Sequence, residues 1–431
     1  MKRQGNLWPL ICDRRNIELA ADKALKGKPL TKDRQRFIDN RDELLNNIEE
    51  SLTSETYKFG ALYSFTVYEP KQREIHCPRF YPDRIIHHAL MSVVVPLFMQ
   101  KFTADTYGSI QGRGVALAVK KLSKTLRDHP DTYFLQIDIK HFYQNIGHDV
   151  AKEQIARVIK CRKTLKLFDA IIDVHGQGMP IGSYTSQYVG NLVLSPIDHW
   201  AKEVLGIKHY YRYMDDMVMI LPDKASCHKV LEEFKEQLNT LKLTIKNNAV
   251  IAPATVGIDF IGYKFYPSHT RLRKRIKVKM QRNANRLRRK NVNDEVFKRK
   301  FASHFGWCKH ADCRNLLRKT LKDKLYIFED NMKIKRLSEI KEANNWFALP
   351  KGSRVSIEKL FDTDLIFLEY IDITIKLEPK VAVKFAHSDN ADKHLYFITR
   401  SDVMKDRLSQ DKDHFPFIAQ LKRVKNYTAY E

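Results

Sequence analysis

The amino-acid sequence predicts an α+β fold spread over two or three domains, and three observations carry that expectation. The chain has 431 residues, more than one hydrophobic core usually organises. Up to about residue 266, stretches of helical period interleave with short strand-like runs. From about residue 346 the pattern changes to alternation, as in a small β-rich domain.

In chain order, residues 33–52 carry Phe37, Leu44, Leu45 and Ile48 at helical spacing and are expected as one amphipathic helix. Residues 63–68 alternate like a strand, and residues 73–77 can pair with them across Pro70-Lys71-Gln72. Helices are expected over 83–102 and 114–127, a sharp apolar strand over 133–139, and a long helix over 150–174. After the glycine-bearing segment 176–182 comes another helix, from 183 to about 205. Residues 210–214 and 217–221 flank a tight acidic turn and read as a hairpin. A helix over 227–241 and strands over 245–251 and 260–265 follow. Lys and Arg then crowd residues 271–290, a helix-prone stretch. A solvated face is the plain reading of such a run, but its density and single sign point to a surface that meets phosphates. Near the end Ile371, Ile373, Ile375 and Leu377 alternate, as do Val381, Val383 and Phe385, then Tyr396 and Ile398.

Lys and Arg number 76 against 51 Asp and Glu, a formal net charge of +25. That surplus favours a polyanionic partner, nucleic acid before an anionic membrane. The six cysteines include no CxxC pair, which argues against a disulfide framework and for a reducing, cytoplasmic setting. Cys308, His310 and Cys313 lie close in sequence, yet no second ligand pair follows at zinc spacing. Residues 1–10 lack the apolar core of a signal peptide, and the best apolar run, 89–99, is too short to span a bilayer.

The sharpest chemical signal is Tyr213-Met214-Asp215-Asp216 between apolar strands. Adjacent carboxylates at a hairpin tip repel each other unless a cation neutralises them. Asp-Asp alone is common in surface turns. Here a second apolar strand also ends in an acid, Asp138. Packed side by side, the two would gather three carboxylates into a site for two divalent ions.

Asp138-Ile139-Lys140-His141-Phe142-Tyr143, then Gly178-Met179-Pro180-Ile181-Gly182 running into Ser186-Gln187, then Tyr213-Met214-Asp215-Asp216 stand in an order that resembles the palm motifs of reverse transcriptases. Downstream, residues 241–246 and 257–262 look like the later palm motifs. Upstream, residues 71–75, 82–86 and 108–114 resemble the fingers of bacterial members of that family. The likeness covers about residues 57–317. It implies a right-hand polymerase: N-terminal extension and fingers over 1–130, palm over 131–266 with finger segments, and a basic helical thumb over 267–345. Beyond it the alternating region over 346–431 is expected as a C-terminal β-rich domain, oligonucleotide-binding-like by analogy.

The resemblance further implies RNA-directed DNA synthesis, in which a primer 3′-hydroxyl attacks a deoxynucleoside triphosphate. The cofactor would be two Mg2+ ions, with Mn2+ able to substitute, held by Asp138, Asp215 and the backbone carbonyl of Ile139. Asp216 would be the weaker neighbouring carboxylate. Tyr143 falls at the steric gate against a ribose 2′-hydroxyl, with a core aromatic as the plainer alternative. Lys71 and Arg73 would meet the triphosphate. Ile181, Gly182, Ser186 and Gln187 would line the pocket under the incoming base pair, and Lys246 would stand near the pyrophosphate. Arg282, Arg286, Arg288, Arg289 and Lys309 would hold nucleic acid. Many reverse transcriptases carry Gln before that glycine and Pro after that serine, where this chain has Ile181 and Gln187. The Ile-Gly form looks like the enzymes of diversity-generating retroelements and of anti-phage defence, and it argues against high fidelity. Expected partners are a dedicated structured RNA template, the DNA product, deoxynucleotides and an accessory protein, with no membrane. The rivals are an RNA-dependent RNA polymerase, against which Tyr143 argues, and a catalytically idle, maturase-like RNA-binding protein, against which the three carboxylates argue.

Overall fold

The computed structural model describes residues 2–68, 72–328, 364–375, 378–387, 390–399, 417–424 and 427–430, the last five segments as backbone alone. The chain forms two compact units, Met1–Lys322 and Asp323–Glu431. Helices and sheets alternate through the first unit, so the fold is α+β.

The first unit opens with α1 (Trp8–Cys12), α2 (Arg14–Leu25), α3 (Lys32–Asp39) and α4 (Arg41–Thr53). The single helix expected over 33–52 is thus two. It breaks at Asn40, whose φ of −120° and ψ of 34° leave the helical region. There the Asn40 amide reaches back to the Arg36 carbonyl, the local bond by which Asn competes with a helix. Strands β1 (Tyr63–Val67) and β2 (Arg73–Cys77) form the expected hairpin. The helix α5 (Ile85–Met99) is apolar nearly all round and buried; α1 and α2 pack against it. Next comes α6 (Val115–Asp128), which buries Ala118, Val119, Leu122 and Leu126 along one stripe.

After β3 (Tyr133–Asp138) follow α7 (Phe142–Asn145), α8 (His148–Ala156) and α9 (Arg162–Asp173). The long helix expected over 150–174 is interrupted because the N-terminal segment inserts there. The Gln4 amide donates to the Val158 carbonyl at 2.9 Å, and the Lys160 amide donates to the Gln4 carbonyl at 2.8 Å. Then come α10 (Tyr184–His199), β4 (His209–Tyr213), β5 (Asp216–Leu221), α11 (Lys224–Asn239) and β6 (Val250–Pro253). A four-stranded antiparallel sheet in the order β4-β5-β3-β6 is the platform of the unit, and α11 packs against it. Of the strand expected over 245–251 only the end pairs as β6; Ile245 keeps one isolated bridge, to Ile139.

A second small sheet consists of β7 (Ile258–Phe260), β8 (Tyr263–Phe265) and β9 (Thr270–Leu272). The strand expected over 260–265 folds back on itself at Ile261 and Gly262, both at positive φ. A side chain at Gly262 would come within 2.6 Å of the Trp307 ring, so glycine serves both the turn and the packing. The basic stretch supplies α12 (Lys274–Arg289), followed by α13 (Asp294–Cys308) and α14 (Arg314–Leu321). Met280, Ala284 and Leu287 are the buried face of α12, and the remainder is largely cationic.

In the second unit β10 (Asp364–Ile375), β11 (Glu378–His387), β12 (Asn390–Thr399), β13 (Phe417–Val424) and β14 (Tyr427–Tyr430) form one antiparallel sheet in the order β12-β11-β10-β13-β14. The unit is β-rich, as its alternation predicts. No disulfide joins the six cysteines; Cys308 packs its sulfur against that of Met280 at 3.4 Å. Among the described residues no helix is long and apolar enough to cross a membrane.

Candidate active site

The register of the main sheet builds the site. β3 and β5 pair so that Asp138 stands directly opposite Asp216. The β4–β5 hairpin turns through Met214 and Asp215. Because side chains alternate along a strand, Asp138, Gln136, Asp216 and Tyr213 share one face, while Leu135, Ile137, Met217 and Met219 enter the core. The amide of the fully buried Ile139 donates to the Asp215 carbonyl at 3.3 Å, which ties the end of β3 to the turn. The three acids singled out from sequence therefore meet.

Their electrostatics record the crowding. Burial, and next the charge of Asp138, push the Asp215 carboxyl up to about 6. Burial is also the main reason that Asp216 is pushed up to about 7; the Gln136 amide, donating at 3.0 Å, opposes the rise. Asp138 gives one oxygen, Oδ2, to the Lys246 ammonium at 2.6 Å. Its other oxygen, Oδ1, is buried and has no hydrogen-bond partner. Among the described residues no three His, Cys, Asp or Glu side chains form a ready-made metal cage; here Lys246 and Gln136 each engage one carboxylate. The donor set nonetheless fits a hard divalent cation. It is all oxygen, it is short of positive charge, and it holds an orphaned acceptor that a cation would satisfy.

The remaining expected residues fall as follows. Lys71 lies outside the described residues. Arg73 opens β2, exposed, on the hairpin face that also carries Phe65, Ile75 and Cys77. That face meets the segment before α10: the His76 amide donates to the Ile181 carbonyl at 2.8 Å. A Cβ on Gly182, whose φ is +121°, would sit 2.6 Å from Ile75 and 2.8 Å from Cys77 Sγ. Only glycine permits that approach. Ile181 is half-buried, Ser186 is buried with its hydroxyl unpartnered, and Gln187 is exposed. Tyr143 packs beside Phe142, half-buried; burial and the nearby Asp215 carboxylate drive its hydroxyl well above the usual phenol range. The Lys246 amide also donates to the Asp138 carbonyl at 2.8 Å, so Lys246 is anchored twice to one residue.

Beside the acidic turn, an open cleft of about 1240 Å3 runs from Tyr213 past Gly262 to Lys274, Lys279, Arg282 and Trp307. Arg282 thus lines it. Arg286, Arg288 and Arg289 lie further along α12, where Arg286 and Arg288 bond to Asn283 and Asn285 of their own helix. The Lys309 ammonium stands 5.7 Å from the Phe305 ring, and Phe305 is buried as a core residue.

Sequence reading passed over three participants. Gln136 holds Asp216; its position two residues before Asp138 on the same strand face is the signal that names it. Gly190 lies under the aromatic pair, where a Cβ would come within 3.1 Å of Phe142 and 3.3 Å of Tyr143. Gly108 lies against the turn itself, where a Cβ would be 2.6 Å from Met214 Sδ and 2.8 Å from its amide nitrogen. Nothing local marks Gly190, and although Gly108 opens the finger-like segment 108–114, nothing there signals its contact with the turn.

Comparison with known proteins gives a family match and distant relatives. The family described as "Reverse transcriptase (RNA-dependent DNA polymerase)" matches residues 71–265. The chain is similar to the "Putative COX1/OXI3 intron 1 protein" of Saccharomyces cerevisiae, 20% identical over 342 residues, which is 62% of this chain and 40% of that protein. It is also similar to "Nuclear intron maturase 1, mitochondrial" of Arabidopsis thaliana, 20% identical over 115 residues, 24% of this chain and 16% of that one. The match thus spans less than half the length of either relative. Among solved structures, telomerase of Candida albicans with a fragment of telomeric RNA has a TM-score of 0.44 at 10% identity, covering 71% of this chain and 66% of that one. Apo telomerase of Candida tropicalis has a TM-score of 0.40 at 12% identity, covering 71% of each. Residues 71–265 of this chain carry a domain of the reverse-transcriptase type.

Proposed function

We propose that the chain is an RNA-directed DNA polymerase whose site residues are those gathered at the β3–β5 tip. The observation that carries this reading is the register pairing of Asp138 with Asp216, with Asp215 at the turn beside them and Asp138 Oδ1 buried without a partner. Asp138, Asp215 and the Ile139 carbonyl would hold two divalent ions, Mg2+ or in its place Mn2+. When bound, these ions lower the pKa of a primer 3′-hydroxyl and neutralise the departing pyrophosphate. Asp216, held by Gln136, adds negative charge from beside the ligands. Lys246, bonded to Asp138 Oδ2, would lend its charge to the pyrophosphate. Arg73, with Lys71 preceding it, faces the triphosphate from the finger hairpin, and Tyr143 fills the space beside the sugar. An idle RNA-binding protein fits less well, since it has no use for three half-buried, mutually repelling carboxylates.

The Ile181-Gly182 and Ser186-Gln187 form favours a bacterial or phage retroelement, or an anti-phage defence enzyme, copying a dedicated structured RNA in the cytoplasm with an accessory protein. The direct test is extension of a DNA primer on an RNA template with deoxynucleotides and Mg2+. Product that disappears with a chelator is expected; no extension on any primed RNA or DNA template sinks the reading.

Two further outcomes follow from placement. RNA affinity should fall steeply with salt, by ~0.7–0.9 log units per log unit of salt for each phosphate contact. Replacing Arg286, Arg288 and Arg289 together by Ala should shrink that slope, by about 2 if all three touch phosphate. An unchanged slope in a filter-binding titration would assign them to solvent and leave the contacts to Lys274, Lys279 and Arg282. The second outcome concerns fidelity. Ile181 offers the nascent base pair no hydrogen bond, and one such bond is worth ~0.5–1.5 kcal/mol, a roughly threefold to tenfold change in discrimination. Ile181→Gln should therefore lower the error rate on one sequenced template without stopping synthesis. Identical error spectra would make Ile181 a packing residue only.

A further inference from the structure

On the core side of the sheet, directly behind the acidic turn, a wholly buried guanidinium is tied into a closed set of hydrogen bonds. Strand alternation places Arg212 on the face opposite Asp216 and Tyr213, beside Tyr210. Arg212 and Asp198 of α10 are both 0% exposed. Arg212 Nε donates to Asp198 Oδ1 at 2.6 Å and Nη2 to Oδ2 at 2.5 Å, a two-pronged pair. Its Nη1 donates to Asn191 Oδ1 at 2.9 Å and to the Met214 carbonyl at 3.0 Å. The Asn191 amide in turn donates to the Gly108 carbonyl at 2.8 Å, and Gly108 is the residue that abuts Met214. Tyr210 and Thr106 hydroxyls complete the shell of Asp198, at 2.7 and 3.0 Å.

Met214 is the residue this set converges on. It immediately precedes Asp215 and has φ +56°, a left-handed conformation that a side chain other than glycine adopts at a cost. Such a conformation persists only where the surroundings over-determine it. The Met214 carbonyl belongs to the peptide bond that leads into Asp215, so whatever fixes that carbonyl also fixes the peptide plane from which Asp215 projects. A buried ion pair is in general no better for stability than well-packed apolar residues. Five directed bonds from one planar group, the fifth from Nη2 to the Asn191 carbonyl at 3.4 Å, do what apolar packing cannot: they fix an orientation.

We infer that Arg212 is a positioning residue, locked by Asp198 and Asn191, that clamps the Met214 carbonyl so that Asp215 points at Asp138 and the pair is pre-set for a divalent cation. The inference rests on the reading of the site as a metal-dependent polymerase. In the clamp Asp198 fixes the guanidinium plane, and Asn191 transmits the position of Gly108 to the same nitrogen. Lysine retains the charge at this position but has no planar fork and cannot serve all five acceptors.

The test measures Mn2+ binding to the full-length protein by electron paramagnetic resonance, beside RNA affinity and single-turnover extension. Asp215→Ala identifies the signal that belongs to the site. Arg212→Lys is expected to weaken Mn2+ binding there about fivefold or more and to raise the half-saturating Mg2+ for extension, with RNA affinity within about twofold. Asn191→Ala, which leaves the Arg212–Asp198 pair intact, is expected to move Mn2+ binding the same way by about twofold to threefold. A folded Arg212→Lys protein with wild-type Mn2+ affinity overturns the inference. If that variant does not fold, Asn191→Ala decides: wild-type Mn2+ affinity overturns it and weakened affinity supports it. A wild-type chain that binds Mn2+ at Asp215 but makes no DNA overturns the polymerase reading and leaves the clamp to be decided by Mn2+ binding. A wild-type chain with no Mn2+ signal lost in Asp215→Ala overturns both.

Discussion

Replacing Asp215 and Asp216 together by alanine is expected to abolish DNA synthesis while leaving RNA binding within about twofold, since affinity comes from phosphate contacts made elsewhere. The loss should reach about 10⁴-fold in single-turnover rate, which at ~1.4 kcal/mol per tenfold is ~5.5 kcal/mol of transition-state stabilisation. Stability should move the other way. In the metal-free protein both carboxyls titrate above their ordinary range, Asp215 near 6 and Asp216 near 7. The folded state therefore holds more protons than the unfolded state between about pH 4 and 7, and stability falls as pH rises through that window. Below it the folded and unfolded carboxyls are both protonated and the penalty is absent. The double variant lacks these two carboxyls, so its melting temperature should be flatter with pH and higher than wild type at pH 8. Saturating Mg2+ should raise the wild-type melting temperature and not that of the variant. Extension at the wild-type rate would remove the claim that these carboxylates run the reaction. A wild-type melting curve equally steep in the variant would place the titrating groups elsewhere.

Sequence pattern is informative where one local rule governs. The hairpin β1–β2, the strand ending at Asp138 and the hairpin carrying Asp215 all follow from period-two alternation bounded by turns, and they are the elements that build the site. The errors arise where a distant partner decides. Residues 150–174 keep helical period throughout, but the chain leaves the helix after Ala156 because Gln4 pairs with Ile159 from far away in sequence. Asn40 breaks a helix that apolar spacing alone would carry across it. Arg212 reads locally as one more cation in a basic chain. Its neighbours Tyr211 and Tyr213 do not mark it, and its partners Asn191 and Asp198 lie 21 and 14 residues earlier, on α10. Parity was the available signal. Once Asp216 is placed on the open face, strand alternation and the hairpin register send Arg212 inward, and a buried arginine must have a carboxylate. The placement of Arg286, Arg288 and Arg289 beyond the cleft has a similar origin: charge density names a helix but not the turn of it that lines the cleft.

Tyr143→Ala is expected to relax sugar choice, raising ribonucleotide use relative to deoxynucleotide use by about tenfold to a hundredfold, or ~1.4–2.7 kcal/mol. The ring is pinned on one side by Phe142, with ring centroids 5.2 Å apart, and on another by the bare backbone of Gly190. The ring thus lies against α10, near enough to the Asp215 carboxylate to feel its charge, where the sugar of a nucleotide bound at that turn would lie. A rigid wall there rejects a 2′-hydroxyl by volume, so the ring should matter and the hydroxyl should not. Tyr143→Phe should therefore keep wild-type discrimination, whereas Tyr143→Ala should lose it. Truncation also opens a cavity beside Phe142, and a large-to-small change in a packed site costs ~3–5 kcal/mol when fully buried, so the alanine variant should melt earlier than wild type. The two effects separate cleanly. If Tyr143 were only packing, the alanine variant would lose stability and slow with both sugars equally, leaving the ratio of their kcat/KM values unchanged. A gate changes that ratio even at a temperature where the variant is fully folded, and incorporation of the two sugars opposite one template base reads it directly.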